Sequence, residues 1–178
     1  MDRKQQSLEH IELQQANLSK LCLDNATLSF IRADSEARIV YANPQACKTY
    51  GYPLEEFVVK YLFDIDRNIT RDKWPYIWQT FCEESFHAFE GVGIRKNGTL
   101  FPIEVDVFLF EADGQKTTGA FIKDITERKK VKERALLTQF IYEKVAVPIL
   151  HGGEDGVILD ANEQACAFLG SQKKNYVI

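Results

Sequence analysis

The chain has 178 residues, a net charge of −4, and 45% hydrophobic and 12% aromatic residues; that is one domain and a remainder, since a domain takes roughly 100–200 residues. Its longest uninterrupted apolar run, Ala165 to Leu169, is far short of the about 20 residues that cross a bilayer, and MDRKQQSLEHIELQQ at the start lacks the apolar stretch of a secretory leader. Lys and Arg are scattered rather than clustered, so no nucleic-acid surface is indicated.

Residues 5–24 read as a helix, with Leu8, Ile11, Leu18 and Cys22 on one apolar stripe. Two short strands follow at 27–33 and 37–42, joined by the polar turn Asp34-Ser35-Glu36. Asn43-Pro44 starts a helix, because Asn is a good N-cap and Pro suits the first helical position; Gly51 stops it after Tyr50. One more helical turn is expected at Pro53–Phe57, and 58–69 shows no clear period. A helix over 70–84 carries Trp74, Trp78, Phe81 and Cys82, with Thr70 as its expected cap.

Three strand-like runs come next, at 86–95, 99–110 and 116–123. Asn97-Gly98 is a strong hairpin signal between the first two. In the second, Ile103, Val105, Val107 and Leu109 share one face, and Glu104, Asp106 and Phe108 the other. Residues 126–144 form another helix, basic at first and then carrying Leu137, Phe140 and Ile141. Strands are expected to begin again at 147. Strands at both ends with helices between predict an α+β domain with one five-stranded antiparallel sheet. The middle helices cover one sheet face, and the other needs the flanking helices or a partner.

Self-similarity refines this layout. IVYANPQACKTYG (39–51) and ILDANEQACAFLG (158–170) share seven of thirteen residues without a gap, at an offset of 119. The offset extends upstream: Leu18 falls on Leu137, Leu21 on Phe140 and Ile31 on Leu150. The period is that of a domain of about 100 residues plus a linker, used in tandem. The expected division is therefore an N-terminal helix (1–25), a domain (26–125), a linker helix (126–144) and the start of a second copy (145–178). That second copy is expected to lack its last three strands. Cys22, Cys47, Cys82 and Cys166 form no Cys-x-x-Cys pair, and are expected to be buried free thiols.

The motifs in this order resemble a PAS domain. Ile39-Val-Tyr-Ala-Asn43 resembles the family's second strand and its Asn, and Ala46-Cys-Lys-Thr-Tyr-Gly-Tyr52 the helix that follows. Pro53-Leu-Glu-Glu-Phe57 is similar to the short acidic turn, and Arg95-Lys-Asn-Gly98 with Phe101-Pro-Ile-Glu-Val105 to the late turn and long strand. Asp124-Ile-Thr-Glu-Arg-Lys129 resembles the exit motif, where the last strand becomes a signalling helix. The resemblance implies the PAS fold and an ion pair between Glu56 and Lys96. Independently of the family, Asp124 or Thr126 can cap the helix that follows, leaving the strand-to-helix junction almost no slack.

Relatives of this family bind haem, flavin, small acids or nothing. The haem branch that this sequence resembles needs a His on the long middle helix; here His87 lies just past it. The flavin-adduct branch needs a Cys where this chain has Arg67-Asn-Ile-Thr70. No cofactor is therefore expected, and haem and covalent flavin are disfavoured. Cys47, Trp74, Trp78, Phe81, Cys82, Phe89 and Phe121 are the candidates to line a small-molecule pocket, or simply to fill the core.

No catalytic or metal-ligating set is recognisable. Gly152-Gly-Glu-Asp155 resembles a cyclase signature, but the repeat places it in a strand-to-strand turn, and His10 lacks the residues that follow a kinase phosphoacceptor. The expectation is a non-enzymatic, cytoplasmic sensory and dimerisation module. It would form a homodimer through its flanking helices, Leu137 and Phe140 included, and relay a stimulus to the output domain of a sensor histidine kinase or cyclic-di-nucleotide regulator. The alternatives are a stand-alone small-molecule or redox binder and a ligand-free protein-interaction module.

Overall fold

Where the chain carries the strongest local signals, it folds as they dictate. The computed structural model describes residues 14–15, 17–112 and 114–170. Residues 17–24 are helix α1; Leu8 and Ile11 lie outside the described residues. Strands β1 (Ser29–Ala33) and β2 (Ile39–Ala42) pair antiparallel, and α2 (Pro44–Tyr50) follows. Asn43 caps α2, its side chain accepting from Ala46 N, and Gly51 closes it at φ +78°, where a Cβ would be strained.

Next come two short helices, α3 (Leu54–Phe57) and α4 (Leu62–Ile65), then α5 (Trp74–Glu83). Two expectations change here. Residues 58–69 contain α4, one turn too short to show a period. The long helix begins at Trp74 rather than near Thr70, and its N-cap position, Lys73, makes no side-chain cap bond. Pro75 is the reason. Lacking an N–H, it is tolerated in the first turn but would break a helix already under way.

Strands β3 (Phe86–Ile94), β4 (Leu100–Ala112) and β5 (Gln115–Asp124) complete a five-stranded sheet in the order β2-β1-β5-β4-β3. Gly98 takes φ +81° in the β3–β4 turn, as the Asn-Gly signal requires. The strands' period of two sends Ile31, Ile103, Val105, Val107 and Ile122 inward. There they bury against Tyr50, Phe57, Ile65, Trp74 and Phe81 of the helices. The opposite face carries an aromatic cluster: Phe30 lies 4.9 Å from Phe121 and 6.1 Å from Phe108, ring centre to ring centre. All four cysteines are free, as expected, but none is buried: Cys22 is exposed and Cys47, Cys82 and Cys166 are half-buried.

The chain divides into two compact units, Met1–Thr126 and Glu127–Ile178. The second holds nearly all of α6 (Thr126–Lys144), the antiparallel pair β6 (Leu150–Gly152) and β7 (Ile158–Ala161), and α7 (Glu163–Leu169). No residue of α6 is buried, and Leu136, Leu137, Phe140 and Ile141 all stand exposed. Among the described residues, no helix is long and apolar enough to cross a membrane.

Candidate functional site

Three features of the first unit invite a functional reading. The innermost is a cavity of about 40 Å³ between the sheet and the helices. Its walls are apolar, with Ile31, Leu62, Phe81, Phe89, Val105 and Ile122 among them, apart from Tyr50, Thr118 and Asp66. Asp66 is buried, and burial pushes its carboxyl above the ordinary value, although backbone N–H groups of Asn68 and Ile69 pull the other way. Tyr50 is also pushed up, first by burial and then by the nearby Asp66. A charge leaving water without a counter-charge raises a carboxyl or phenol pKa in this way.

Two of the seven candidate pocket residues, Phe81 and Phe89, line this cavity. Trp74 is buried behind them and spends its indole N–H on Ser35 O at 2.8 Å, with Trp78 packed on it at 5.8 Å. Cys47 packs against the edge of the core, and Cys82 is half-buried on α5 without lining the cavity. Phe121 is a correction. It pairs with Asp106 on the outer face, because the inward positions of β5 are Thr118, Ala120 and Ile122. His87 sits on β3 with its ring 5.0 Å from Phe81 and Nε2 2.9 Å from Glu84 O.

The second feature is the junction at the end of β5. Asp124 Oδ1 accepts from Thr126 N at 2.9 Å, and Asp124 Oδ2 lies 2.5 Å from Arg95 Nη2. Burial pushes this carboxyl up, but hydrogen bonds from Thr126 and the Arg95 charge outweigh it and hold it below its ordinary value. Arg95 also donates from Nη1 to Thr49 O, and its Cζ lies over the Phe101 ring, 3.7 Å from its centre. Beside it, Lys96 Nζ meets Glu56 Oε2 at 2.6 Å, the pair the motifs implied; both side chains are about half exposed, so the pair contributes under about 1 kcal/mol.

The third feature is Asn43, fully buried, with all of its side-chain capacity used. Its Oδ1 accepts from Phe30 N and Ala46 N, both at 2.9 Å. Its Nδ2 donates to Leu23 O at 2.9 Å and Leu28 O at 3.0 Å. One amide thus ties the last turn of α1, the first strand and the first turn of α2 together. The second unit contains the same arrangement at Asn162. Its Oδ1 accepts from Ile149 N and Ala165 N, and its Nδ2 donates to Tyr142 O and Val147 O, all at 2.9 Å. Every partner is displaced by 119 residues.

Among proteins already known, the PAS domain profile matches residues 25–127 of this chain. The chain belongs to the PAS domain family. Two curated relatives are similar over longer stretches. One is the methyl sulfide methyltransferase-associated sensor of Methanosarcina acetivorans, 27% identical over 135 residues, which are 71% of this chain and 13% of that protein. The other is the nitrogen fixation regulatory protein of Klebsiella oxytoca, 22% identical over 161 residues, 85% of this chain and 32% of that one. The chain thus spans a third or less of either relative. In solved structures, the PAS domain of an HTR-like protein from Haloarcula marismortui matches with a TM-score of 0.60 at 21% identity, over 69% of this chain and all of that one. A PAS domain from a two-component sensor histidine kinase matches with 0.56 at 17%, over 64% and 98%. At such identities these structures bear on the fold, and the fold they share is the α+β PAS fold. PAS domains are sensory modules, and both curated relatives are a sensor or a regulatory protein by name.

Within the PAS domain, sequence reasoning named Asn43, Glu56, Lys96, Asp124 and Thr126, and the structure gives each a partner. It missed Arg95 and Asp66. Arg95 opens the turn motif that the sequence showed, but its bonds reach residues 46 and 29 positions away, so its role was not legible there. Nor did the sequence single out Asp66: Asp64 stands two residues before it, and only the folded chain leaves one exposed and buries the other.

Proposed function

We propose that this chain is the sensory and dimerisation segment of a longer cytosolic signalling protein. In this reading a PAS domain (26–125) passes its state through α6 to the start of a second PAS domain (145–178), and onward to a histidine kinase or cyclic-di-nucleotide output. The observation that carries it is the Asn162 clasp. It reproduces the four hydrogen bonds of Asn43, including the one to the incoming helix, so α6 stands to the second unit as α1 stands to the first. A helix that leaves one such unit at a capped junction and enters the next through a buried amide is suited to carry strain between them.

The exposed stripe of Leu136, Leu137, Phe140 and Ile141 on a helix with no buried residue favours pairing with a second copy. The segment works without catalysis of its own. Its interior supports a reading without haem or flavin: about 40 Å³ is far below the about 300–1,000 Å³ of ordinary ligand sites. Sedimentation of the chain over a hundredfold concentration range tests the dimer. Leu137→Ala with Phe140→Ala should shift it toward monomer. A wild-type chain that stays monomeric at the top of the range would refute pairing, and a Soret or flavin absorption band in the purified protein would refute the cofactor reading.

A further inference from the structure

A single short helix joins the clasp at Asn43 to the junction at Asp124. Asn43 caps the start of α2, and Thr49, one residue from its end, offers its carbonyl to Arg95. From the incoming helix to the outgoing one the chain of contacts is unbroken: Leu23 O to Asn43 Nδ2, Asn43 Oδ1 to Ala46 N, along α2 to Thr49 O, across Arg95 to Asp124, and from Asp124 Oδ1 to Thr126 N. The α2 segment spans seven residues, about 10 Å at 1.5 Å per residue. It is pinned along its length as well. Ser29 Oγ donates to Thr49 Oγ1 at 2.9 Å, Lys96 N to Tyr50 O at 2.9 Å, and Ala46 and Tyr50 are buried.

From this we propose that α2 is a strut: it couples the last turn of α1 to the first residue of α6 through the Asn43 amide at one end and the Arg95 guanidinium at the other. This rests on the reading of the chain as a relay and adds a route within it. The route runs along one wall of the interior cavity and touches it through Tyr50. An occupant of the cavity would therefore act on the strut from the side, while movement of α1 would reach α6 with the cavity empty. Asn is suited to the incoming end because one side chain must accept from α2 and donate to α1. Arg is suited to the outgoing end because its fork reaches a carbonyl and a carboxylate together.

Coupling is demonstrated by non-additivity, since sites about 10 Å apart with no shared partner normally add. Amide hydrogen exchange on the full chain would be compared for wild type, Asn43→Ser, Arg95→Met and the double variant. Ser keeps an oxygen to cap α2 and removes the donors to Leu23 O and Leu28 O. The reporters are Asn25 and Ala26 N–H, which bond to Leu21 O and Leu23 O, and Thr126 N–H at the far end, each normalised to β4 core amides to remove global loss of stability. Arg95→Met should speed exchange at Asn25 and Ala26 at least threefold, and Asn43→Ser should do the same at Thr126. The double variant should then exceed neither single variant by more than about twofold. Lys96→Met, one position along the chain, should leave Asn25 and Ala26 unchanged. Effects confined to each variant's own end, or rates that multiply in the double variant, would overturn the strut. If Asn43→Ser does not fold, Arg95→Met against Lys96→Met, read at Asn25 and Ala26, decides alone. A monomeric chain would refute the dimer and leave this result intact.

Discussion

Replacing Asn43 by Ala removes four hydrogen bonds at a site with no exposure. A buried bond is worth about 1 kcal/mol net, and a buried donor left without a partner costs about 1–3 kcal/mol. Phe30 N and Ala46 N are buried, whereas the two carbonyls are partly reached by water, so the donors set the scale. The expected loss is about 3–4 kcal/mol, a large part of the about 5–15 kcal/mol that holds a domain together. At about 4–8 °C per kcal/mol for a domain of this size, Tm should fall by on the order of 15 °C. Asn43→Asp is the sharper probe, because it keeps the shape and both acceptor bonds but turns oxygen toward Leu23 O and Leu28 O. Burial against two carbonyls should raise the introduced carboxyl above its unfolded value of about 3.9. A group with a raised folded pKa is least costly below its unfolded value and loses stability as pH rises through the folded one. The variant should therefore recover one donor bond in acid and be no better than Asn43→Ala at neutral pH. Urea titrations followed by Trp emission at pH 4.5 and 7, each referred to wild type, would measure this, since Trp74 and Trp78 both report the first unit. An Ala variant that loses under about 1 kcal/mol, or an Asp variant whose deficit ignores pH, would refute the reasoning.

Other substitutions test neighbouring arguments. Asp66→Asn should raise stability at neutral pH, since the folded carboxyl is pushed up by burial and its ionisation opposes folding above about pH 4; stability against pH should flatten there, and an unchanged slope would count against it. Asp124 has the opposite sign. Its folded pKa is lowered, so its contribution is present above the unfolded value and is lost as pH falls through the folded one; Asp124→Asn keeps an oxygen for Thr126 N but loses the charge paired with Arg95, so it should remove that acid dependence at a cost of under about 1 kcal/mol, read by urea titration across pH 2–7. At Gly119 a Cβ would stand 2.7 Å from the Phe108 ring and 3.1 Å from Phe30, so Gly119→Ala should cost about 1–3 kcal/mol by overpacking, a loss that thermal melting would register.

How much of this was legible in the sequence depends on how far each cause reaches along the chain. Caps and turns have near neighbours as partners. Asn43 was legible as a cap because Ala46 is three residues away, and Gly98 as a turn because the Asn-Gly pair carries its own backbone preference. The outer-face position of Phe121 was misread because it depends on strand parity fixed by pairing with β4, where Phe121 lies opposite Asp106. The bonding role of Arg95 was illegible for the same reason, its partners being remote. The β1–β2 turn shows both kinds of information at once. Asp34 Oδ1 accepts from Glu36 N and Arg38 N, which its sequence announces, but the turn also holds Ala37 at φ +66°, which alanine does not announce. The counterpart 119 residues on is Gly156 at φ +81°, a residue that does.

The repeat also separates what a local segment fixes from what the whole sheet supplies. Ile31 is 1% exposed with β5 beside it, whereas Leu150, in the corresponding position of a two-stranded sheet, is 48% exposed. Burial of that side chain is therefore a property of the complete sheet. Asn43 and Asn162 are both 0% exposed, as are Ala46 and Ala165, and all four side-chain bonds form in both units. Burial of the clasp needs only the incoming helix, two strands and the following helix, about 30 residues of chain. In the second unit the amide that receives the incoming helix is thus fully buried beside only two strands.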